Sequence, residues 1–129
     1  MSNLNQINHA NLNGDHVHFT VAEKTKAPEG KPAGKMITDS DAFSFVYLFD
    51  VEDGYTYYHF PQAVWPMMVE ALKMDVDPVL SWNDGEVTLN GFKEELTMLI
   101  FNIEGNDNYG ESFSTAVEQT FSSILQNAE

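Results

Sequence analysis

Hydrophobic positions fall into short alternating runs in the first two-thirds of the chain and into helical stripes afterwards. Val17, Phe19 and Val21 alternate with polar neighbours, the period of a half-buried strand. Gly34–Thr38 adds a second strand. The densest run is Phe43, Phe45, Val46, Tyr47, Leu48 and Phe49. It is followed by Asp53-Gly54 and then by Tyr55-Thr56-Tyr57-Tyr58-His59-Phe60. Asp-Gly supplies the positive φ angles of a tight turn, and both flanks are rich in strand formers, so this stretch predicts a β-hairpin. Alternation further predicts Tyr55 and Tyr57 on one face of it and Thr56 and Tyr58 on the other. A second hairpin is expected from Val79–Trp82 through Asn83-Asp84-Gly85 to Glu86–Leu89.

Three helices follow the 3.6-residue period. Trp65, Met68 and Leu72 mark one that starts near Pro61, with Pro66 confined to its first turn because a later proline would break a backbone bond. Phe92, Leu96, Leu99, Ile100 and Ile103 stripe a second. Asn90 is its expected N-cap, and Glu94 and Glu95 suit the positive end of its dipole. Phe113, Val117, Phe121, Ile124 and Leu125 stripe a third. The order β-β-β-β-α-β-β-α-α predicts an α+β fold: an antiparallel sheet built from hairpins, with two to three helices on one face. Residues 1–14, with Asn at 3, 5, 8, 11 and 13, are expected to be a loose N-terminal segment in which Leu4 and Ile7 are pinned down. Residues 15–129 form a single domain, inside which Lys24–Gly34, with Pro28, Gly30, Pro32 and Gly34, is a loop or mobile arm.

The chain of 129 residues is the size of one domain. Hydrophobic residues make up 43% of it, which excludes a disordered chain despite the charge. It contains no Cys, which removes disulfides, thiolate metal sites and cysteine nucleophiles together. No apolar run reaches the roughly 20 residues of a membrane span. Met1–Gln6 has neither the basic start nor the apolar stretch of a signal peptide, so a cytoplasmic location and no membrane partner are expected.

Charge changes the picture more than composition does. The net charge is −14, and all six basic residues are Lys. Four of those lysines precede residue 36, where they meet three acids. From Met36 onward 17 acids face two lysines, a net of −15. Such a surface repels nucleic acid and anionic membranes and speeds encounter with a basic partner. It also serves plain solubility.

The catalytic templates are missing: no phosphate-binding glycine loop and no G-x-S-x-G elbow occur. His16 and His18 would point the same way from one strand and, with His59 or Asp15, could hold a metal, but no third ligand has a fixed spacing. Asp39-Ser40-Asp41, Asp50–Gly54 and Asp75-Val76-Asp77 look like fragments of calcium loops, and none has the full ligand spacing. Turn chemistry accounts for them. No catalytic residue, metal site or cofactor is therefore assigned. The candidate interaction residues are Glu104, Asn106, Asp107, Asn108, Tyr109 and Glu111 in one segment and Tyr55, Tyr57 and Tyr58 in the other. The first segment also reads as a helix-to-helix connection, in which Gly105 ends one helix and Asn108 or its neighbour caps the next.

Three stretches carry a resemblance: Thr38–Leu48; Val64-Trp65-Pro66 with Glu70-Ala71-Leu72; and Glu95-Leu96 through Ile103-Glu104-Gly105-Asn106-Asp107-Asn108-Tyr109-Gly110-Glu111. Together they resemble a family of short, uncharacterised cytosolic proteins of Gram-positive bacteria of the Bacillus and Staphylococcus kind. The resemblance spans residues 33–125 and leaves the Asn-rich start outside. It implies a bacterial cytoplasmic setting and brings no activity or catalytic residues with it. The reading that fits best is a non-catalytic protein-interaction or regulatory module whose acidic, Tyr-rich surface meets a protein partner, either a basic one or a second copy in a homodimer. The alternatives are an inhibitor of the immunity or DNA-mimic type, which offers carboxylates to a basic cleft, and a small enzyme using a carboxylate pair.

Overall fold

The computed structural model describes residues 5–21, 28–74 and 76–127. Seven strands form one sheet: β1 (Asn5–Asn13), β2 (His16–Val21), β3 (Lys31–Asp39), β4 (Ser44–Val51), β5 (Gly54–Pro61), β6 (Val79–Trp82) and β7 (Gly85–Thr88). Their spatial order is β3-β4-β5-β1-β2-β6-β7. The four helices are α1 (Trp65–Leu72), α2 (Phe92–Ile103), α3 (Glu111–Thr120) and α4 (Ser122–Asn127). This is the α+β architecture that the hydrophobic pattern predicts, with a sheet that is mostly antiparallel rather than wholly so. It consists of a β3-β4-β5 meander and two hairpins, β1-β2 and β6-β7. Short parallel seams join them. Asn5 and Gln6 pair with Tyr58 and His59 in one seam, and His18 and Phe19 pair with Val79 and Leu80 in the other. Among the described residues no helix is long and apolar enough to cross a membrane.

The core lies between one face of this sheet and the helices. Phe45, Tyr47 and Phe49 of β4, Phe60 of β5 and Phe19 of β2 all point into it and are fully buried. Trp65 at the start of α1 packs against Phe45 and Phe121, with ring centroids 5.2 and 6.0 Å apart. Phe92 of α2 meets Phe19, Phe60 and Tyr47. Phe113 of α3 meets Phe45 and Trp65. The expected third helix is divided at the buried Phe121, whose backbone leaves helical geometry so that α3 and α4 become separate segments.

Residues 5–13 form strand β1 where composition pointed to a loose start. Ile7 is fully buried, as expected of a pinned residue. Register shifts by one residue between Ile7 and His9, so Asn8 is a bulge, and the alternation that betrays a strand is interrupted there. The loop expected over Lys24–Gly34 lies partly outside the described residues (22–27). From Lys31 onward that segment is already edge strand, with Pro32 tolerated beside an irregularity in register.

The start of α2 also departs from expectation. Asn90 does not cap it. The carboxylate of Asp77, from the connection between α1 and β6, accepts hydrogen bonds from the backbone amides of Gly91 (3.1 Å) and Lys93 (3.0 Å). Asn90 contributes its carbonyl oxygen, which accepts a 2.6 Å hydrogen bond from the Tyr47 hydroxyl. That hydroxyl in turn accepts from the Gly34 amide at 3.2 Å. Burial pushes the Tyr47 pKa up to about 12, so the hydroxyl remains a donor throughout the neutral range. Glu95, expected only to favour the helix dipole, accepts a 3.1 Å hydrogen bond from the Met36 amide. It thereby occupies a backbone donor on edge strand β3 that would otherwise be open to another chain.

Candidate functional site

Among the described residues the second face of the sheet carries no helix. Residues that face it follow from alternation and register: Lys31, Lys35, Ile37 and Asp39 on β3; Ser44, Val46, Leu48 and Asp50 on β4; Tyr55, Tyr57 and His59 on β5. Val46 sits between Ile37 and His59, and Leu48 sits between Lys35 and Tyr57. Both are buried (2% and 6% exposed), yet they stand apart from the main core, screened from water by these long neighbours. The neighbours themselves are open: Ile37 is 47% exposed, Tyr57 44% and Tyr55 38%. The result is an apolar floor rimmed by exposed rings and one aliphatic side chain.

Polar groups frame this patch. The Lys35 ammonium lies 5.7 Å from the centroid of the Tyr55 ring and donates a 3.3 Å hydrogen bond to its hydroxyl. That contact raises the Lys35 pKa, keeping the group charged. Beyond β5 the face continues onto β1 and β2 with Gln6, His9, Asn11, Asn13, His16, His18 and Thr20. All four histidines of the chain therefore lie on the helix-free side. The His16 and His18 rings are 6.3 Å apart, and His18 Nδ1 is 3.8 Å from Glu86. Neither meets His59 in a cluster: among the described residues no three His, Asp or Glu side chains gather as metal ligands.

His59 has a measurable consequence. Burial beside Val46 lowers its pKa, an effect that the charge of Asp39 only partly opposes. The folded state thus favours the neutral imidazole, while the unfolded chain takes up a proton as pH falls past about 6.5. Stability present above that pH is lost as pH falls towards the folded-state value. The urea midpoint is expected to drop between pH 7.5 and 5.5, and the drop should be shallower in His59→Gln. Equal slopes in the two proteins would remove His59 from this account.

The candidate residues from the sequence divide between two surfaces. Tyr55 and Tyr57 share the helix-free face, as alternation predicts. Tyr58 points the other way, 6% exposed, against Phe49, and its burial raises its pKa. Glu104, Asn106, Asp107, Asn108 and Tyr109 lie on the opposite layer, in the connection between α2 and α3, and Glu111 is the first residue of α3. There the local hydrogen bonds engage the Asn106 side chain and several backbone groups. Asn106 caps a short 3-10 turn over Asp107–Tyr109, its side-chain oxygen accepting from the Asn108 amide (3.0 Å) and its side-chain nitrogen donating to the Asn102 carbonyl (3.2 Å), whereas α3 begins after Gly110 with no side-chain cap. Glu118 accepts from the Gly105 amide at 2.8 Å, and Ser114 donates to the Asn106 carbonyl at the same distance. Tyr109 is half-buried against Phe113. Ile37, Val46, Leu48 and Lys35 do not stand out in the sequence, and His59 stands out only as a possible metal ligand, because only the strand register shows that they share a face with the two tyrosines.

Charge follows the same division. The helical layer, residues 62–74 and 91–127, holds seven carboxylates against two lysines, a net of −5. On the helix-free face Lys31 and Lys35 stand against Asp39, Asp50 and Glu86, a net of −1 with neutral histidines. The helical layer is thus more acidic than the tyrosine face, while the remaining −8 of the net charge falls on residues outside both counts.

The family described as "Family of unknown function (UPF0738)" matches residues 5–121. The chain belongs to this family. The UPF0738 match begins at residue 5, so strand β1 is part of the family's shared region, although the resemblance noted above left it outside. A UPF0738 protein of Lysinibacillus sphaericus (strain C3-41) is 42% identical over 125 residues, covering 97% of this chain and 98% of the relative. The UPF0738 protein YjbL of Bacillus subtilis (strain 168) is 35% identical over 121 residues, covering 94% and 99%. A UPF0738 protein of Bacillus thuringiensis (strain Al Hakam) is 44% identical over 86 residues, covering 67% and 70%. No solved structure matches this chain.

Proposed function

We propose that this chain is a non-catalytic protein-interaction module whose docking surface is the helix-free face of β3, β4 and β5. One observation carries the reading: Ile37, Tyr55 and Tyr57 are exposed together around the buried Val46 and Leu48. Tyrosine rings bring large contact area at low conformational cost and are enriched at protein interfaces. An apolar patch rimmed by polar groups, here Lys35, Asp50 and His59, is the pattern of an interaction site. The reading differs from the one drawn from sequence in a single respect: tyrosines and carboxylates serve different sides of the molecule.

A second reading has its own observation. The helical layer, with seven carboxylates and two lysines, suits the inhibitor type that presents acids to a basic cleft. Salt separates the two, since a contact between screened charges weakens with ionic strength more steeply than an apolar one. The experiment is capture from the native host's lysate with tagged wild-type protein and with Tyr57→Glu, eluted over a rising salt series. One stoichiometric partner that resists moderate salt and disappears with Tyr57→Glu supports docking at the tyrosine face. A partner retained by Tyr57→Glu and released at low salt moves the function to the acidic layer. Capture of nothing but a smear of basic proteins ends both readings.

A further inference from the structure

The charge division points to a specific occupant of this face. We propose that the helix-free face is the interface of a symmetric dimer of this chain, two sheets packed face to face with the helices outside. The inference rests on the reading that this face docks a protein, and it names that protein.

Electrostatics decides how two such molecules can meet. Each copy carries −14, so most approaches bring carboxylates together. If the helical layers met, two surfaces of −5 would be in contact. A mixed contact would set a layer of −5 against a face of −1. Face-to-face packing instead places the two least charged surfaces in contact and keeps the acidic layers on the far sides of both sheets. Each acidic layer is then separated from the other by two sheets about 10 Å apart and a helix-to-sheet layer on either side. That exceeds the Debye length of about 8 Å at physiological ionic strength, so the charges of the two helical layers hardly oppose association. A partner carrying strong positive charge would be drawn to the helical layer rather than to this face.

The face also satisfies the requirement of two-fold symmetry, in which a patch must complement itself. It carries both signs in a short span: Lys31 and Lys35 on β3, Asp50 opposite Lys31 on β4, and Asp39 at the far end of β3. A two-fold axis through the face gives each lysine a carboxylate of the second copy within its range, while the exposed Ile37, Tyr55 and Tyr57 of the two copies pack against one another. Size is adequate as well. β4 and β5 are each eight residues long. Strands about 4.8 Å apart that rise about 3.3 Å per residue give β3, β4 and β5 roughly 380 Å² in projection, and the continuation of the face onto β1 and β2 brings the platform to roughly 600 Å² before side-chain relief. A standard interface takes roughly 800 Å² per partner. Sheets that pack this way cross at about −30°, an angle that the twist of a mostly antiparallel sheet supplies.

Sedimentation equilibrium of the full chain tests this at neutral pH and physiological salt. The expected mass is twice the 14.5 kDa of one chain. Ile37→Glu and Tyr57→Glu change exposed side chains, so both should retain the wild-type circular dichroism while raising the dimer dissociation constant about thirtyfold or more. Met98→Glu, on the open side of α2, should leave the dimer intact. A wild-type mass of one chain at about 100 µM, well above the dissociation constants of specific interfaces, overturns the proposal. So does a dimer that survives both face variants or dissociates with Met98→Glu. A monomer that still captures a lysate partner in a Tyr57-dependent way overturns the dimer and leaves the docking face standing. A monomer that captures nothing overturns both.

Discussion

Replacing Trp65 with Ala is expected to remove about 3–5 kcal/mol of folding stability, which is much of what a domain of this size possesses. The indole is fully buried, and its ring lies 5–6 Å from those of Phe45, Phe113 and Phe121. Those three rings come from a central strand, from α3 and from the junction with α4. The cavity left by the indole would therefore open where separate elements converge, so no one of them can shift to fill it. Trp65 also donates a 3.0 Å hydrogen bond from Nε1 to the Phe60 carbonyl, which fixes the end of β5 to the first turn of α1. Trp65→Phe keeps one aromatic ring but loses that bond, leaving a buried acceptor unmet at about 1–3 kcal/mol, and opens a smaller cavity than Ala does. Urea unfolding followed by circular dichroism should rank wild type, Phe and Ala in that order. A loss under about 1 kcal/mol for Ala would mean that the aromatic cluster is not the centre of the fold.

Gly91→Ala is expected to cost about 2–4 kcal/mol, from left-handed backbone strain together with overpacking. Gly91 has φ +76°, and a β-carbon there would lie 3.2 Å from both the Cα and the carbonyl oxygen of Gly34. These are backbone atoms of β3, at its register irregularity, and cannot rotate aside as a side chain can. Gly34→Ala is the matched control. Its φ is +71°, but its new β-carbon would meet the Asn90 side-chain amide at 3.3 Å, a group that can move. It should therefore carry only the conformational cost of about 1–2 kcal/mol. Equal losses at the two sites would show that the close approach of α2 to β3 is unimportant. The larger loss at Gly91 would locate that approach as the point where the helical layer is fastened to the sheet.

The parts of this fold that could be read in the sequence are those set by neighbours along the chain. Asp53-Gly54 and Asn83-Asp84-Gly85 announce their hairpins, and period-two alternation separates Tyr55 and Tyr57 from Tyr58. The helical stripes of Phe92, Leu96, Ile100 and Ile103 are equally local. What escaped is non-local. Strand β1 is masked by asparagine, a residue depleted from strands, and by the bulge at Asn8. The cap on α2 comes from Asp77, 14 residues before Gly91, where no capping pattern would look for it. The site was half legible. The tyrosine pair could be seen, but its surroundings on β3 and β4 depend on a register that sequence does not state. The acidity was plain from counting, whereas its separation from the tyrosines depends on which side of the sheet each segment crosses.

The two short parallel seams imply that the molecule does not open as a single unit. β4 is hydrogen-bonded along its length to β3 and β5, and Ser44–Phe49 are buried whichever way their side chains point. Deuterium should enter its amides last, by global unfolding alone. The β6-β7 hairpin is held to its neighbour through just two residue pairs. It can swing away while the rest of the sheet remains closed, so its amides should exchange early and as a group. Mass-resolved exchange would then show a sheet that breathes from the β7 side, with the tyrosine-bearing meander as its most protected unit.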